Sequence, residues 1–255
     1  MCFPHDARPP ITPIAGAAID SEDLVLKSKD GTQFAAFAAR AENPSGAGIV
    51  VMPDVRGLYP YYEELAMRFA EEGINAVAFD YFGRTAGVAK RDENFDFMPE
   101  VKATKSDKIA EDVRACIDYL KSPEGGSCSS VFTIGFCFGG SNSWLQAAWH
   151  NDLSGAIGFY GIPGPSFADG TPGPIDRAPE MNAPILALMG GADQAIGPDQ
   201  VQALDKAFKD NNVKAEVITY EGAPHSFFDR HYEQYANESA DAWRRCLEFV
   251  RSNAK

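Results

Sequence analysis

Basic residues are scarce in this 255-residue chain. Its 23 lysines and arginines stand against 36 aspartates and glutamates, and the formal net charge at pH 7 is −13. A surface this negative repels phosphate backbones, so the composition argues against a nucleic-acid partner. An anionic small molecule would likewise need a local group of arginines or lysines in order to bind.

Cysteine is also scarce. The chain has five cysteines, an odd number, and they are widely spaced: Cys2, Cys116, Cys128, Cys137 and Cys246. The absence of any Cys-x-x-Cys pair argues against a disulfide framework and against a zinc site, and a reducing compartment fits best. The histidines and acids do not cluster at the spacing of metal ligands either, so we expect neither a metal nor an organic cofactor.

Long hydrophobic runs are missing as well. No stretch approaches the roughly 18 consecutive apolar residues of a membrane span, and the N-terminal MCFPHDARPPITPI lacks the apolar core of a signal peptide. We therefore expect a cytoplasmic protein with no membrane partner, in which residues 1–20 form an extended N-terminal arm. The hydrophobic content of 45% is ordinary for a globular protein, and residues 1–255 suffice for one large α/β domain.

Strand and helix patterns alternate along the chain. Alternating runs on either side of Asp30-Gly31 predict a β-hairpin. Continuous apolar runs predict three buried strands, in GIVVMPD, INAVAFDYFG and SVFTIGF, and further strands are expected in GAIGFYG, APILALMGGAD and KAEVITYEG. Apolar spacing predicts helices over residues 61–73, 102–120, 141–150, 198–212 and 238–252. This order favours an α/β fold with a mostly parallel central sheet and helices on both faces. The polar segment 84–101 is expected to be irregular and to cover a cleft.

The segment TIGFCFGG, residues 133–140, puts a thiol among glycines at the end of a predicted strand. Cys137 has Gly135 two residues before it and Gly139 two after, and a helix pattern follows, as in the nucleophile elbow of α/β-hydrolases. Unpaired N–H groups at the helix start would favour a thiolate, and the N–H of Phe138 would face a developing oxyanion. A small buried cysteine in a glycine-rich turn would show the same local pattern.

Two residues follow the cysteine in the order of the α/β-hydrolase triad. Asp193 comes just after the strand pattern ILALMGG, and His225 lies in VITYEGAPHSFF after the last predicted strand. Triad acids and histidines occupy the carboxyl ends of later strands in this fold. We expect His225 to act as the base and Asp193 to orient it.

The alternatives for these two roles are few. Of the other histidines, His5 lies in the arm, His150 ends the helix after the elbow, and His231 falls in a polar, solvated segment. Asp199 and Asp229 compete for the role of the acid. At these two positions we expect a helix cap and a surface charge, respectively.

Six segments together carry a resemblance to a known family: VVMPDVRG, FDYFGR, GFCFGG, GFYG, LMGGAD and APHSFF. Over most of its length the chain resembles the dienelactone hydrolase family, a branch of the α/β-hydrolases with a cysteine nucleophile. The resemblance implies the α/β-hydrolase fold, with Cys137 as the nucleophile, His225 as the base and Asp193 as its partner. It also implies an oxyanion hole formed by the N–H groups of Val55 and Phe138.

Two features depart from the family. The family carries a glutamate in the loop after the third strand, which holds the resting cysteine. The matching residue here is Asp54, one methylene shorter, for which a strand-end cap is the alternative role. Members that open dienelactones bind the substrate carboxylate with arginines, one of them soon after the histidine. Here HSFFDR offers Phe228 and Asp229 first and Arg230 later.

Other residues could contact a substrate. Arg56, in the oxyanion loop, is the best-placed candidate for binding a carboxylate, although it could pair with Asp54 instead. Arg84 and Arg91 lie in the covering segment, where arginines are more often surface residues. Ser226, beside the base, could contact substrate or hydrogen-bond the backbone.

The leading hypothesis is a hydrolase of the carboxymethylenebutenolidase type. It would cleave a small-molecule lactone or ester through a Cys-His-Asp triad and an acyl-thioester intermediate, as a monomer or small homo-oligomer. Two alternatives stay open: a catalytically idle binding domain of the same fold, and a redox sensor in which Cys137 is oxidised. A sensor would favour a second cysteine nearby, whereas Cys128 is expected at the opposite end of the same strand.

Overall fold

The computed structural model describes residues 7–255, in which eight strands form one sheet. The strands are β1 (Ile19–Lys27), β2 (Gln33–Ala41), β3 (Ala47–Met52), β4 (Asn75–Phe79), β5 (Ser130–Phe136), β6 (Gly155–Phe159), β7 (Ile185–Gly190) and β8 (Ala215–Tyr220). The helices are α1 (Pro60–Glu71), α2 (Gly83–Ala86), α3 (Phe97–Ala103), α4 (Ser106–Lys121), α5 (Phe138–Trp149), α6 (Pro174–Arg177), α7 (Pro198–Asp210) and α8 (Ala236–Asn253), and a 3₁₀ turn follows α6 at Ala178–Glu180.

The sheet is mixed but mostly parallel, as the sequence predicts. Its strand order is β1-β2-β4-β3-β5-β6-β7-β8, where β2 pairs antiparallel with β1 and β4 and all the later pairs are parallel. The β1–β2 hairpin turns where predicted, and Gly31 takes a φ of 91° that glycine adopts without strain. Because the strands from β3 to β8 are parallel, the loops that follow them meet at one edge of the sheet.

Helices cover both faces of the sheet, because successive strand side chains point to opposite faces. In β3, Ile49 and Val51 pack with α1 and α8, while Val50 and Met52 pack with α4, α5 and α7. The inner strands β3 to β7 are buried along their whole length. This two-sided burial explains why their sequences are continuous apolar runs.

The helix predicted over residues 102–120 is wrong at its start. Helix α3 ends at Ala103 and α4 begins at Ser106, and Thr104 between them has an extended φ/ψ of −66° and 153°. The Thr104 hydroxyl donates a hydrogen bond of 2.7 Å to the Val101 carbonyl, which satisfies an acceptor at the helix end. Apolar spacing carries no signal for this kind of helix stop.

The covering segment, residues 84–101, is not wholly irregular, since it includes most of α2 and the start of α3. Arg91 anchors its middle: the guanidinium binds the Asp80 carboxylate at 2.7 Å, and the Arg91 N–H donates to the Leu58 carbonyl at 2.9 Å. Both charged side chains are buried. Arg91 is therefore part of an internal ion pair and not a surface residue.

The N-terminal arm is described only in part. Residues 1–6, which include Cys2 and His5, lie outside the described residues. Residues 7–18 contain no helix or strand, and β1 takes up the last two positions of the predicted arm. In the part of the chain from residue 7 onward, no helix is both long and apolar enough to cross a membrane.

Candidate active site

Cys137 lies at the turn between β5 and α5. Its φ of 55° and ψ of −112° form a sparsely populated conformation for a residue with a Cβ atom, as expected at a nucleophile elbow. A Cβ added to Gly135 would lie 1.9 Å from the Gly139 carbonyl oxygen, and one added to Gly139 would lie 2.1 Å from that of Met52. Only glycine fits at both positions, so GFCFGG is a steric requirement of this turn.

Helix α5 begins at Phe138, three residues earlier than its apolar pattern predicts. The Phe138 N–H is thus the first of the helix and has no carbonyl partner within the helix. Among residues 7–255, no backbone hydrogen bond uses the N–H of Phe138 or of Val55. The Phe138 ring is buried edge-on against Tyr81, at a centroid distance of 5.3 Å, which fixes the start of the helix beside the thiol.

His225 and Asp193 lie in the turns after β8 and β7. The His225 Nδ1 and Asp193 Oδ2 atoms are 2.7 Å apart, and the two side chains are 27% and 1% exposed. The other Asp193 oxygen accepts the N–H groups of Ala195 at 2.8 Å and Ile196 at 3.1 Å, so the carboxylate is held from both sides. His225 also hydrogen-bonds Cys137. The fold therefore brings together the three residues that the sequence places in a triad.

The charges of this group support one another. Burial lowers the pKa of His225, but the hydrogen bonds to Asp193 and Cys137 outweigh it and raise the pKa to about 10. Burial raises the pKa of Asp193, but the bond to His225 and the backbone N–H groups outweigh it, so the pKa is lowered. These two partners therefore favour the imidazolium form of His225, between the Asp193 carboxylate and the Cys137 side chain.

The loop after β3 carries Val55 and is held by two tyrosines. The Asp54 N–H donates a 3.0 Å hydrogen bond to the Tyr62 hydroxyl, and the Tyr81 hydroxyl donates one of 2.8 Å to the Pro53 carbonyl. Tyr62 and Tyr81 are both buried, so these bonds are shielded from water. The half-buried Val55 thus lies in a fixed loop at the same sheet edge as Cys137.

Arg56 is paired with Asp54. Its guanidinium donates from Nη2 to Oδ2 at 2.8 Å and from Nε to both carboxylate oxygens at 3.2 Å, and Oδ1 also accepts the Arg56 N–H at 2.9 Å. The side chains are 6% and 0% exposed, and the guanidinium lies 4.8 Å from the centre of the Tyr59 ring. Of the two expectations for Arg56, the geometry matches the pairing with Asp54. Through the same contacts, Asp54 takes the role of a cap after β3.

The other arginine candidates are distributed differently. Arg84 binds Asp112 at 2.7 Å and also contacts Asp30 in the β1–β2 turn, while Arg91 binds Asp80. Arg230 is exposed. The carboxylate partners of Arg84 and Arg91 belong to segments outside the triad, so these two arginines brace the covering segment.

Asp229 is not a surface charge, contrary to the prediction: it is 2% exposed. Its Oδ2 accepts the Tyr160 hydroxyl at 2.7 Å, and the carboxylate also binds the Ser226 hydroxyl and the Arg230 N–H. The Ser226 hydroxyl therefore bonds to a side chain, which neither expectation for it included. Sequence reasoning missed Asp229 and Tyr160. The available signals were the spacing of four residues between His225 and Asp229 and the tyrosine within GFYG.

The remaining competitors are placed as follows. Asp199 is exposed in the first turn of α7, where Gly197 is the cap residue, so the predicted cap is wrong by two positions. His150 ends α5 as predicted. His231 is half-buried, not fully solvated.

The cysteines and acids offer no other reactive centre of the kinds considered. In residues 7–255, no group of three or more histidine, cysteine, aspartate or glutamate side chains could hold a metal ion. Cys116, Cys128 and Cys246 are buried and not in disulfides. Cys128 lies two residues before β5 and Cys137 directly after it, so roughly 20 Å of extended strand separates the two thiols. They cannot form a disulfide with each other.

Comparison with known sequences gives a consistent picture. A Salmonella typhimurium (strain LT2) protein with the provisional name carboxymethylenebutenolidase is 28% identical over 260 residues, which cover 96% of this chain and 95% of that protein. A Saccharolobus solfataricus protein with the same provisional name is 29% identical, and the match covers 92% of this chain and 100% of that protein.

Solved structures agree with the sequence relatives. A Klebsiella pneumoniae crystal structure, provisionally named a dienelactone hydrolase, has a TM-score of 0.80 and 26% identity and covers 92% of this chain and 99% of that one. A dienelactone hydrolase-like promiscuous phosphotriesterase from metagenomic libraries has a TM-score of 0.78 at 23% identity, covers 94% of this chain and 100% of that one, and supports the α/β-hydrolase fold. The model of the dienelactone hydrolase family matches residues 34–253. The chain therefore belongs to the dienelactone hydrolase family.

Proposed function

We propose that this protein hydrolyses lactones or small carboxylic esters through an acyl-thioester on Cys137. The observation that carries the proposal is the hydrogen-bonded line from Asp193 through His225 to Cys137 at the edge where the strands end. Membership of a hydrolase family supports it. The provisional name of the relatives, carboxymethylenebutenolidase, points to a lactone as substrate.

In the first half-reaction, the Cys137 thiolate attacks the carbonyl carbon and forms the S–C bond. The carbonyl electron pair moves onto oxygen, and the N–H groups of Val55 and Phe138 stabilise the resulting oxyanion. When the oxyanion collapses, the ester C–O bond breaks, and the His225 imidazolium gives its proton to the leaving alkoxide. From a lactone, the alcohol stays attached to the acyl group, since ring opening releases no second molecule.

In the second half-reaction, a water molecule attacks the thioester carbonyl. Neutral His225 accepts the water proton, and Asp193 stabilises the imidazolium that forms. The thiolate leaves when the second tetrahedral intermediate collapses, which restores the thiolate–imidazolium pair and releases the carboxylic acid. No atom or electron beyond those of the ester and water is needed.

We propose further that uncharged substrates are preferred. Arg56, Arg84 and Arg91 are each already bound to a carboxylate, and the net charge of −13 disfavours anions at long range. A substrate carboxylate could bind Arg56, Arg84 or Arg91 only by displacing the carboxylate that the arginine already binds.

The test is a panel of p-nitrophenyl esters of increasing chain length and unsaturated lactones with and without a carboxylate. Each is assayed with untreated protein, with protein alkylated by iodoacetamide, and with Cys137→Ala. We expect hydrolysis by the untreated protein alone. After rapid acid quenching and digestion, mass spectrometry should find an acyl group on the Cys137 peptide. A Cys246→Ser variant is the matched control, because it removes a buried thiol in α8, a helix that carries none of the three triad residues.

Two results would contradict the proposal. Hydrolysis by Cys137→Ala at the wild-type rate would remove the acyl-thioester mechanism. Protein that reacts with iodoacetamide at Cys137 but turns over no member of the panel would favour the idle binding domain.

A further inference from the structure

A buried tyrosine–carboxylate pair lies directly behind the base. The Tyr160 hydroxyl donates a 2.7 Å hydrogen bond to Asp229 Oδ2, and the Tyr160 ring packs on the His225 imidazole with centroids 4.8 Å apart. Tyr160 is 0% exposed and Asp229 2% exposed. Tyr160 directly follows β6, and Asp229 lies in the loop after β8, so the pair joins the loop that carries His225 to the end of β6.

Several residues around the imidazole have backbone φ angles that are unfavourable for residues other than glycine. Five described residues other than glycine have a positive φ, and three of them belong to the reactive group or its support: Cys137 at 55°, Tyr160 at 37° and Ser226 at 62°. Such conformations are unfavourable for residues with a Cβ atom and persist only where the surroundings fix them. Asp229 binds the hydroxyls of both Tyr160 and Ser226, so one carboxylate fixes two of the three strained residues.

A further contact ties the same loop to α1. The Tyr61 hydroxyl donates a 3.3 Å hydrogen bond to the Phe228 carbonyl, one residue before Asp229. Tyr61 is buried too. The loop that carries His225 is therefore attached to β6 through Tyr160 and to α1 through Tyr61, by bonds that exclude water.

We propose that Tyr160 and Asp229 are positioning residues that hold the His225 ring in line between Asp193 and Cys137. The inference rests on the proposed function, in which that alignment is required for catalysis. They act through the imidazole ring that Tyr160 packs against. The Asp229 carboxylate accepts the hydrogen bond from the Tyr160 hydroxyl, and the Tyr160 ring packs against the imidazole.

The charges around Asp229 make the support sensitive to pH. Burial raises its pKa to about 7, although the bonds from Tyr160, Arg230 and Ser226 lower it, and Asp54 of the β3 loop raises it further. Tyr61 in α1 and Tyr160, directly after β6, face it as neutral groups, since their pKa values lie well above the ordinary value of 10. A proton on Asp229 removes one of its acceptor positions, so the support weakens as the pH falls through about 7.

The experiment follows the pH dependence of Cys137 alkylation by iodoacetamide, read peptide by peptide by mass spectrometry, together with kcat and thermal unfolding. Tyr160→Phe removes the donor and keeps the ring; Asp229→Asn removes the charge and one acceptor. We expect the alkylation midpoint of both variants to rise by about one pH unit, because a displaced imidazolium stabilises the thiolate less. We expect kcat at pH 8 to fall roughly tenfold with little change in KM.

Tyr220→Phe is the matched control. Tyr220 donates a comparable hydrogen bond of 3.0 Å to Asp241, and its ring packs on Phe227. Within residues 7–255, the Tyr220 ring makes no ring-to-ring contact with the His225 imidazole. It should lower the unfolding temperature without moving the alkylation midpoint.

Alkylation also separates this inference from the proposed function, since it needs no substrate. A wild-type protein that hydrolyses nothing would refute the proposed function and leave the midpoint test in force. Midpoints within about 0.3 pH units of wild type in Tyr160→Phe and Asp229→Asn would overturn the positioning role. If Tyr160→Phe does not fold, the midpoint of Asp229→Asn decides alone.

Discussion

His225 and His150 are both largely buried, yet their pKa values move in opposite directions. Burial lowers the pKa of each. At His150 the nearby Arg114 lowers it further, to about 4. At His225 the hydrogen bonds to Asp193 and Cys137 reverse the effect, and the pKa is about 10. Depth of burial therefore does not decide the charge of a histidine in this protein; the anion beside it does.

The two histidines also differ in what their second nitrogen meets. His150, 8% exposed, hydrogen-bonds the Ala110 carbonyl, and its Nε2 has no hydrogen-bond partner in residues 7–255. His225 has a partner on each side of the ring. A neutral, singly bonded imidazole is suited to a structural position, whereas a ring held from both sides can take and give a proton without turning.

Exchanging each histidine for asparagine tests whether His225 and His150 differ in function. We expect His225→Asn to lose at least roughly 10³-fold in kcat, as should Cys137→Ala, because each removes a member of the reacting pair. His150→Asn should retain activity, since asparagine can still donate to the Ala110 carbonyl. Steady-state assays of all three on one p-nitrophenyl ester check this, and equal losses at both histidines would refute the distinction.

Asp193→Asn tests the next contact outward. The backbone N–H groups of Ala195 and Ile196 bind Oδ1, so the amide oxygen should take that position and the NH₂ group should face His225 Nδ1. The ring proton would then lie on Nε2, and a protonated Nε2 cannot accept a proton from the thiol. We expect a loss of roughly 10²–10⁴-fold in kcat with the fold intact.

Asp199→Asn is the control for this exchange, because it makes the same chemical change at an exposed position in α7. Activity in Asp193→Asn within a factor of three of that control would show that the carboxylate does not orient the base.

The sequence predicts which three residues the fold brings together, namely Cys137, Asp193 and His225, because its signals are local. Gly135 and Gly139 are required by clashes within one turn, and those clashes can be inferred from the spacing alone. Asp193 and His225 follow strands whose apolar runs are unmistakable, and parallel strands bring their carboxyl ends to one edge. The fold class follows from the same runs.

The parts that sequence reasoning missed depend on distant neighbours. Asp229 is buried because Tyr160, 69 positions away in sequence, donates to it. The Asp54–Arg56 pair was one of two open alternatives, and nothing in VVMPDVRG decides between them; the Tyr59 ring and the closed loop do. At the break, the Thr104 hydroxyl and backbone N–H both donate to the Val101 carbonyl. Each of these is set by tertiary packing, which periodicity does not encode.

Arg56→Ala tests what happens when a buried carboxylate loses its counter-ion. The variant leaves Asp54 buried without its counter-ion, and breaking such a pair costs about 3–5 kcal/mol of unfolding free energy. Because the pair also fixes the loop that carries Val55, we expect kcat/KM to fall by similar factors for neutral esters and carboxylated lactones. Urea unfolding and the two-substrate assay measure this. A loss confined to carboxylated lactones would instead assign Arg56 to the substrate.

His150 should make the free energy of unfolding depend on pH, because the folded protein binds its proton less readily than the unfolded chain does. Its folded pKa of about 4 lies below the ordinary value of 6.5, so the unfolded chain binds the proton more readily, and stability falls as the pH drops from about 6.5 towards 4. At pH 5 the loss relative to pH 8 is about 2 kcal/mol. His225 has the opposite sign, since its raised pKa stabilises the folded state fully below pH 6.5 and the effect is lost only as the pH rises through about 10. Other groups titrate in both wild type and His150→Asn, so the difference between their urea-unfolding curves at pH 8 and pH 5 isolates this histidine. We expect the loss of unfolding free energy between pH 8 and pH 5 to be about 2 kcal/mol smaller in the variant. The same loss in both proteins would mean that His150 takes up its proton without unfolding the end of α5.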